Sequence, residues 1–144
     1  MKSFFPDVNV WIALAYEGHQ HHAPASAWFA GLNGEPACFC RLTQLGFLRL
    51  LTHPSVMHED VRTQAEAWQA YDLFLRDERV SFQIEADVAP VESVMRRLTA
   101  SNRAASKQWP DAYLAAFARA AGLTLVTFDR ALRQMAGSGA LLLR

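Results

Sequence analysis

Three of the 14 acidic residues are set apart by where they fall. Asp7 comes directly after a short β-rich stretch, in Pro6-Asp7-Val8-Asn9. Asp111 lies in the first turn of a helix that Trp109-Pro110 opens, and Asp129 follows a second β-rich stretch, in Thr127-Phe128-Asp129. Each sits at a strand-to-helix junction or a helix start, where backbone N–H groups and the helix dipole favour an ionised carboxylate. Taken singly, such an acid reads as an ordinary helix cap or first-turn charge. Taken together, the three carry more meaning. In a parallel α/β sheet these junctions collect along one edge, so distant parts of the chain can meet in one pocket. Carboxylates meeting there repel one another unless neutralised, and a hard divalent cation such as Mg²⁺ or Mn²⁺ takes carboxylate oxygens plus water. Asn9 and Thr127, each two residues from an acid, are placed to orient a carboxylate or a water. Residue chemistry alone leads to a candidate metal site and stops there.

The elements that must position these acids follow from periodicity and breakers. Short β-rich stretches at Ser3–Pro6, Ala37–Cys40, Val80–Ile84, Leu123–Thr127 and Ala140–Leu143 alternate with helical patterns. Helices are predicted over Trp11–Glu17, about His22–Leu32, from Thr43 as N-cap through Leu51, over Val61–Asp77, about Pro90–Ala100, from Trp109-Pro110 to Gly122, and over Asp129–Met135. His53–Asp60 reads as a loop. The alternation predicts an α/β fold with a central, mostly parallel twisted sheet, helices on both faces, and ligands at the carboxyl ends of the strands.

No linker, repeat or low-complexity tract divides the 144 residues, so the expectation is one domain over 1–144. Hydrophobic residues make up 51% and charged residues 19%, a globular composition. The longest uninterrupted apolar runs, Val10–Tyr16 and Ala112–Ala118, are far shorter than a membrane span. A cytoplasmic protein with no membrane partner is expected. Cys38 and Cys40 read as two small, partly buried residues rather than a disulfide. His19, His21 and His22 lack a closed zinc spacing. Basic and acidic residues balance at 14 each, yet 12 of the basic residues are Arg, the side chain suited to forked phosphate contacts. Trp11 and Trp109 read as packing residues more readily than as base-stacking ones.

Four strings in order give the site a family context. Asp7-Val8-Asn9-Val10-Trp11, Leu42-Thr43-Gln44-Leu45-Gly46-Phe47-Leu48-Arg49, Asp111-Ala112-Tyr113-Leu114-Ala115-Ala116 and Leu125-Val126-Thr127-Phe128-Asp129 each stand at a strand or helix boundary. Together they resemble the motifs of the PIN-domain ribonucleases, specifically the VapC toxins of VapBC-type toxin–antitoxin pairs, across essentially the whole chain. The resemblance implies a PIN-like fold and a Mg²⁺-dependent endoribonuclease, with Mn²⁺ as a substitute, that leaves 5′-phosphate and 3′-hydroxyl ends. It places the metal on Asp7 and Asp111 and gives Asp129 a supporting catalytic role. Gln44 stands where the family usually has a glutamate; an amide carries no charge and cannot act as a base. Gln44 therefore joins Asn9 and Thr127 as a supporting residue, and a rival reading follows: a PIN-fold RNA- or protein-binding module with weak or no catalysis. Arg41, Arg49 and Arg130 are the arginines nearest the motifs and the expected RNA contacts. The implied partners are RNA, a VapB-type antitoxin and a second copy of the chain, with Trp11, Tyr16, Trp28 and Phe29 as candidate interface residues.

Overall fold

A computed structural model describes residues 1–144. In chain order the elements are β1 (Phe4–Pro6), α1 (Val8–Ala15), α2 (His22–Ala30), β2 (Ala37–Phe39), α3 (Arg41–Leu51), α4 (Pro54–Met57) with a 3₁₀ turn (His58–Asp60), α5 (Gln64–Leu75), β3 (Val80–Phe82), α6 (Val88–Leu98), α7 (Trp109–Ala121), β4 (Thr124–Thr127), α8 (Arg130–Ala136) and β5 (Leu141–Leu142). All pairings are parallel, and the sheet order is β3-β2-β1-β4-β5.

Side chains alternate between two cores along the central strands, as a sheet covered on both faces requires. Phe4, Ala37, Phe39 and Val126 enter one apolar cluster with Trp11, Phe47 and Tyr71 from α1, α3 and α5. Phe5, Cys38, Cys40 and Leu125 enter the other, against Leu114 and Phe117 of α7 and Leu132 of α8. Both cysteines are buried and free. Trp11 is fully buried and stacks on Phe39 with ring centroids 3.9 Å apart. It is core, which removes it from the expected interface residues; Tyr16, Trp28 and Phe29 pack partly buried around the same cluster. α3 crosses close to the start of α1 because residue 46 is Gly: a Cβ there would meet a Val8 methyl at 2.7 Å. Gly122, at φ +68°, closes α7 in the left-handed conformation that glycine adopts without strain.

The expected element order holds, with three differences. α1 begins at Val8 and α6 at Val88, earlier than periodicity suggests, because Asp7 and Asp87 cap them. Cys40, not Thr43, is the N-cap of α3; Thr43 sits buried inside the first turn, where its hydroxyl accepts from the Cys40 N–H at 2.9 Å and donates to the Cys40 carbonyl at 3.1 Å. The expected loop His53–Asp60 contains α4 and the 3₁₀ turn, since Pro54 fits the first helical position and His53 Nδ1 accepts from the Ser55 N–H at 3.2 Å. No helix is long and apolar enough to cross a membrane.

Candidate active site

β1 lies at the centre of the sheet; the chain builds β2 and β3 on one side of it and then returns to build β4 and β5 on the other. The connections leaving β1 and β4 therefore diverge, which opens a crevice at the carboxyl ends of those two strands. Asp7 is the first residue beyond β1 and Asp129 the second beyond β4. The strands are stitched at this point by the Asp7 N–H donating to the Val126 carbonyl at 2.8 Å.

Each acid is held by local backbone chemistry. Asp7 caps α1: one carboxylate oxygen accepts from the Val8 N–H at 2.7 Å, the other from the Thr127 hydroxyl at 3.0 Å. The same Thr127 oxygen accepts from the Asp129 N–H at 3.0 Å, so one buried hydroxyl joins two acids. Asp129 caps α8 through Oδ1, which accepts from the Ala131 and Leu132 N–H groups at 2.8 and 3.3 Å. Its other oxygen makes no hydrogen bond within the protein. Asp111 enters from the first turn of α7.

The acids sense one another. Burial pushes the Asp7 carboxyl up to about 6, against the pull of its hydrogen bonds from Thr127 and Val8, and the charges of Asp111 and Asp129 add to the rise. Asp111 is also raised, by burial and then by Asp129. No basic side chain balances them. The chain contains two salt bridges, Arg79–Asp77 at 2.8 Å and Arg96–Glu92 at 3.6 Å, and neither involves the crevice. No three His, Cys, Asp or Glu side chains close into a cage of their own. The donor set is carboxylate oxygen short of positive charge, which fits a hard cation that completes its shell with water.

The remaining expected site residues divide. Thr127 is where the spacing placed it. Asn9 rides on α1 with its side-chain oxygen buried and without a partner. Gln44, only 4% exposed, makes no hydrogen bond to any of the three acids: its oxygen accepts from the Arg41 guanidinium, and its side chain lies beside the Tyr71 hydroxyl. Arg41 also lies over the Phe82 ring, 4.9 Å from the centroid. Arg49 and Arg130 are exposed and form no ion pair. The histidines near the crevice are engaged locally: His22 meets the Ala13 carbonyl at 2.7 Å, His19 Nδ1 accepts from the His21 N–H at 3.0 Å, and His21 stacks on Phe128 at 4.4 Å. Tyr71 is the participant that sequence reasoning missed, and no local pattern announces it.

Acids gathered at the switch point of a parallel sheet, with helices on both faces, define an α/β site of the PIN type. The family model for the PIN domain matches residues 4–138. Over 135 residues the chain is 42% identical to the ribonuclease VapC41 of Mycobacterium tuberculosis, covering 91% of this chain and 92% of that protein. It is 33% identical to the ribonuclease VapC38 of the same organism, over 85% and 82% of the two chains. The crystal structure of Mycobacterium tuberculosis VapC20, described as a toxin that cleaves the sarcin-ricin loop, shares the fold with a TM-score of 0.61 at 20% identity, over 88% of each chain. The chain belongs to the PIN-domain family, in its VapC ribonuclease branch.

Proposed function

We propose that the crevice hydrolyses RNA phosphodiester bonds and that the chain is the toxin half of a toxin–antitoxin pair, in keeping with the ribonuclease names of its relatives. The observation that carries the chemistry is a set of three mutually repelling carboxylates with no basic partner. Asp7 and Asp111 are the residues that would hold a divalent cation, Mg²⁺ or in its place Mn²⁺. When bound, such an ion offsets their charge and supplies electrophilic help to a phosphate oxygen and a water.

The chain's own groups do the positioning. The Thr127 hydroxyl and the Val8 N–H fix both oxygens of Asp7, so the carboxylate cannot swing away. Asp129, held through one oxygen, presents the other to accept a hydrogen bond from the attacking water and align it with the phosphorus–O3′ bond. As the water oxygen bonds to phosphorus that bond breaks, and the proton the water gives up is replaced on O3′ from solvent, leaving a 5′-phosphate and a 3′-hydroxyl. Asn9, with its oxygen unpartnered, is the nearest polar support on α1. Arg49 and Arg130 are free to meet RNA phosphates, whereas Arg41 does so only by releasing Gln44. A homodimer, a VapB-type antitoxin and a cytoplasmic setting complete the reading. The rival reading, a non-catalytic binding module, rested on Gln44. Engaged by Arg41, that amide is outside the trio of acids, and the trio favours turnover.

Single-turnover cleavage of a labelled RNA in Mg²⁺ tests this. Asp111→Asn, or chelation of the cation with EDTA, is expected to slow cleavage on the order of a thousandfold. Undiminished cleavage under both treatments rejects the assignment.

A further inference from the structure

We propose that Trp109 and the basic segment preceding it form a docking surface for a single-stranded stretch of RNA that flanks the cleaved bond. The proposal rests on the RNA-cleavage reading above and extends it to a residue outside the acids. Trp109 is 56% exposed at the first position of α7, so a large aromatic face stands in water where packing was expected. It is a shared wall of two adjoining clefts. One, of about 540 Å³, is also lined by Glu92, Met95, Arg96 and Thr99; the smaller is lined by Arg103 and Gln108 among others.

The surrounding charge is one-sided. Between Val88 and Pro110 the chain carries Arg96, Arg97, Arg103 and Lys107 against Glu92 alone, in a protein whose basic and acidic residues balance over the whole chain. Arg96 and Glu92 form a solvent-exposed pair at 3.6 Å, which holds the guanidinium only weakly. The other three have no ion-pair partner. An exposed aromatic plane among unpaired cations suits a nucleic-acid strand with accessible bases: phosphates meet the cations and a base stacks on the ring. A duplex hides its base faces and offers only the charge interactions.

Helix geometry says which nucleotide. Trp109 and Asp111 are two positions apart, about 3 Å along the axis but on opposite flanks of the first turn. A base on Trp109 therefore belongs to a nucleotide beyond the scissile one, reached by a strand passing over the tip of α7. Trp109 is a positioning residue for substrate, and its loss acts on binding rather than on the chemical step.

The test uses fluorescence anisotropy of a short labelled single-stranded RNA of mixed sequence, with Asp111→Asn as the non-cleaving parent. Adding Trp109→Ala is expected to weaken binding about tenfold, the scale of one base stack, while Trp109→Phe retains most of it. Replacing Arg96 and Arg103 by Ala is expected to flatten the salt dependence, by about 0.7 in slope for each phosphate left without its cation. In the cleaving protein Trp109→Ala is expected to raise KM and spare kcat. Thermal melting checks that folding is intact, which the exposure of the ring favours. Unchanged binding in Trp109→Ala overturns the proposal, as does Trp109→Phe proving as weak as the Ala variant, or an equal loss on duplex RNA. Cleavage that needs Asp111 but ignores Trp109→Ala removes only the docking surface. RNA binding that needs Trp109, without any cleavage by the unmutated chain in Mg²⁺, removes only the nuclease reading.

Discussion

The carboxyl ends of β1 and β4 hold Asp7, Thr127 and Asp129, with Asp111 alongside, and no basic side chain answers the three acids. The neighbouring end of β2 leads into Arg41, whose guanidinium is met by the Gln44 oxygen and the Phe82 ring. Both corners lie on one edge of one sheet. One is left short of counter-charge and the other is satisfied from within. A folded chain keeps an uncompensated cluster only at a cost in stability, which is why the chemistry is proposed at the uncompensated corner. The satisfied corner, at the position where the family usually has an acid, braces the wall beside it.

The largest effect that can break this contrast is on stability. An unfolded Asp7 ionises near 3.8, the folded one near 6, so between those values the folded state carries the extra proton. Stability therefore falls as pH rises through that window and stays low above it. In cation-free buffer Asp7→Asn is expected to be about 3 kcal/mol more stable than the parent near pH 7 and equal to it below about pH 4. Urea unfolding at the two pH values reads this, and matching midpoints near pH 7 would mean that burial, with the neighbouring acids adding to it, does not penalise the ionised Asp7. A smaller effect is expected at Thr127→Val, which keeps the shape and removes the hydroxyl linking Asp7 to Asp129. Divalent-ion affinity and cleavage should fall about 10- to 100-fold, with Thr127→Ser close to the parent; isothermal titration and cleavage assays check both. The smallest is at Gln44→Ala, which strips a partner from Arg41. It should cost about 1–2 kcal/mol in denaturant unfolding and slow cleavage much less than Thr127→Val does. A cleavage defect at Gln44 as deep as at Asp111 would erase the distinction between the corners.

The acids were readable because breakers punctuate the chain beside them: Pro6 ends β1, Pro110 opens α7, and Gly122 returns α7 to β4. The role of Thr127 followed from its two-residue spacing to Asp129, since the backbone of a strand end and a cap is local geometry. The partnership of Gln44 with Tyr71 was not readable, because it joins α3 to α5 through packing that no nearby residue encodes. The two tryptophans show the same limit from opposite sides. Trp11 and Trp109 are alike in type, yet one fills the centre of a core and the other stands in water. Only the facing elements decide which. Likewise α4 is too short for a periodic signal, and its clue was the chemistry of His53-Pro54-Ser55.

Thr127 and Asp7 meet across 120 positions of chain, and β4 can pair with β1 only after everything between them exists. A ribosome making this chain from its N-terminus therefore releases Asp7 long before the residues that join it. Asp7 emerges first but waits, capping α1, for the strand that will bring Thr127 and Asp129. Closing so long a loop is slow relative to local helix formation. The order in which the chain is made thus delays the meeting of these residues until β4 has been synthesised.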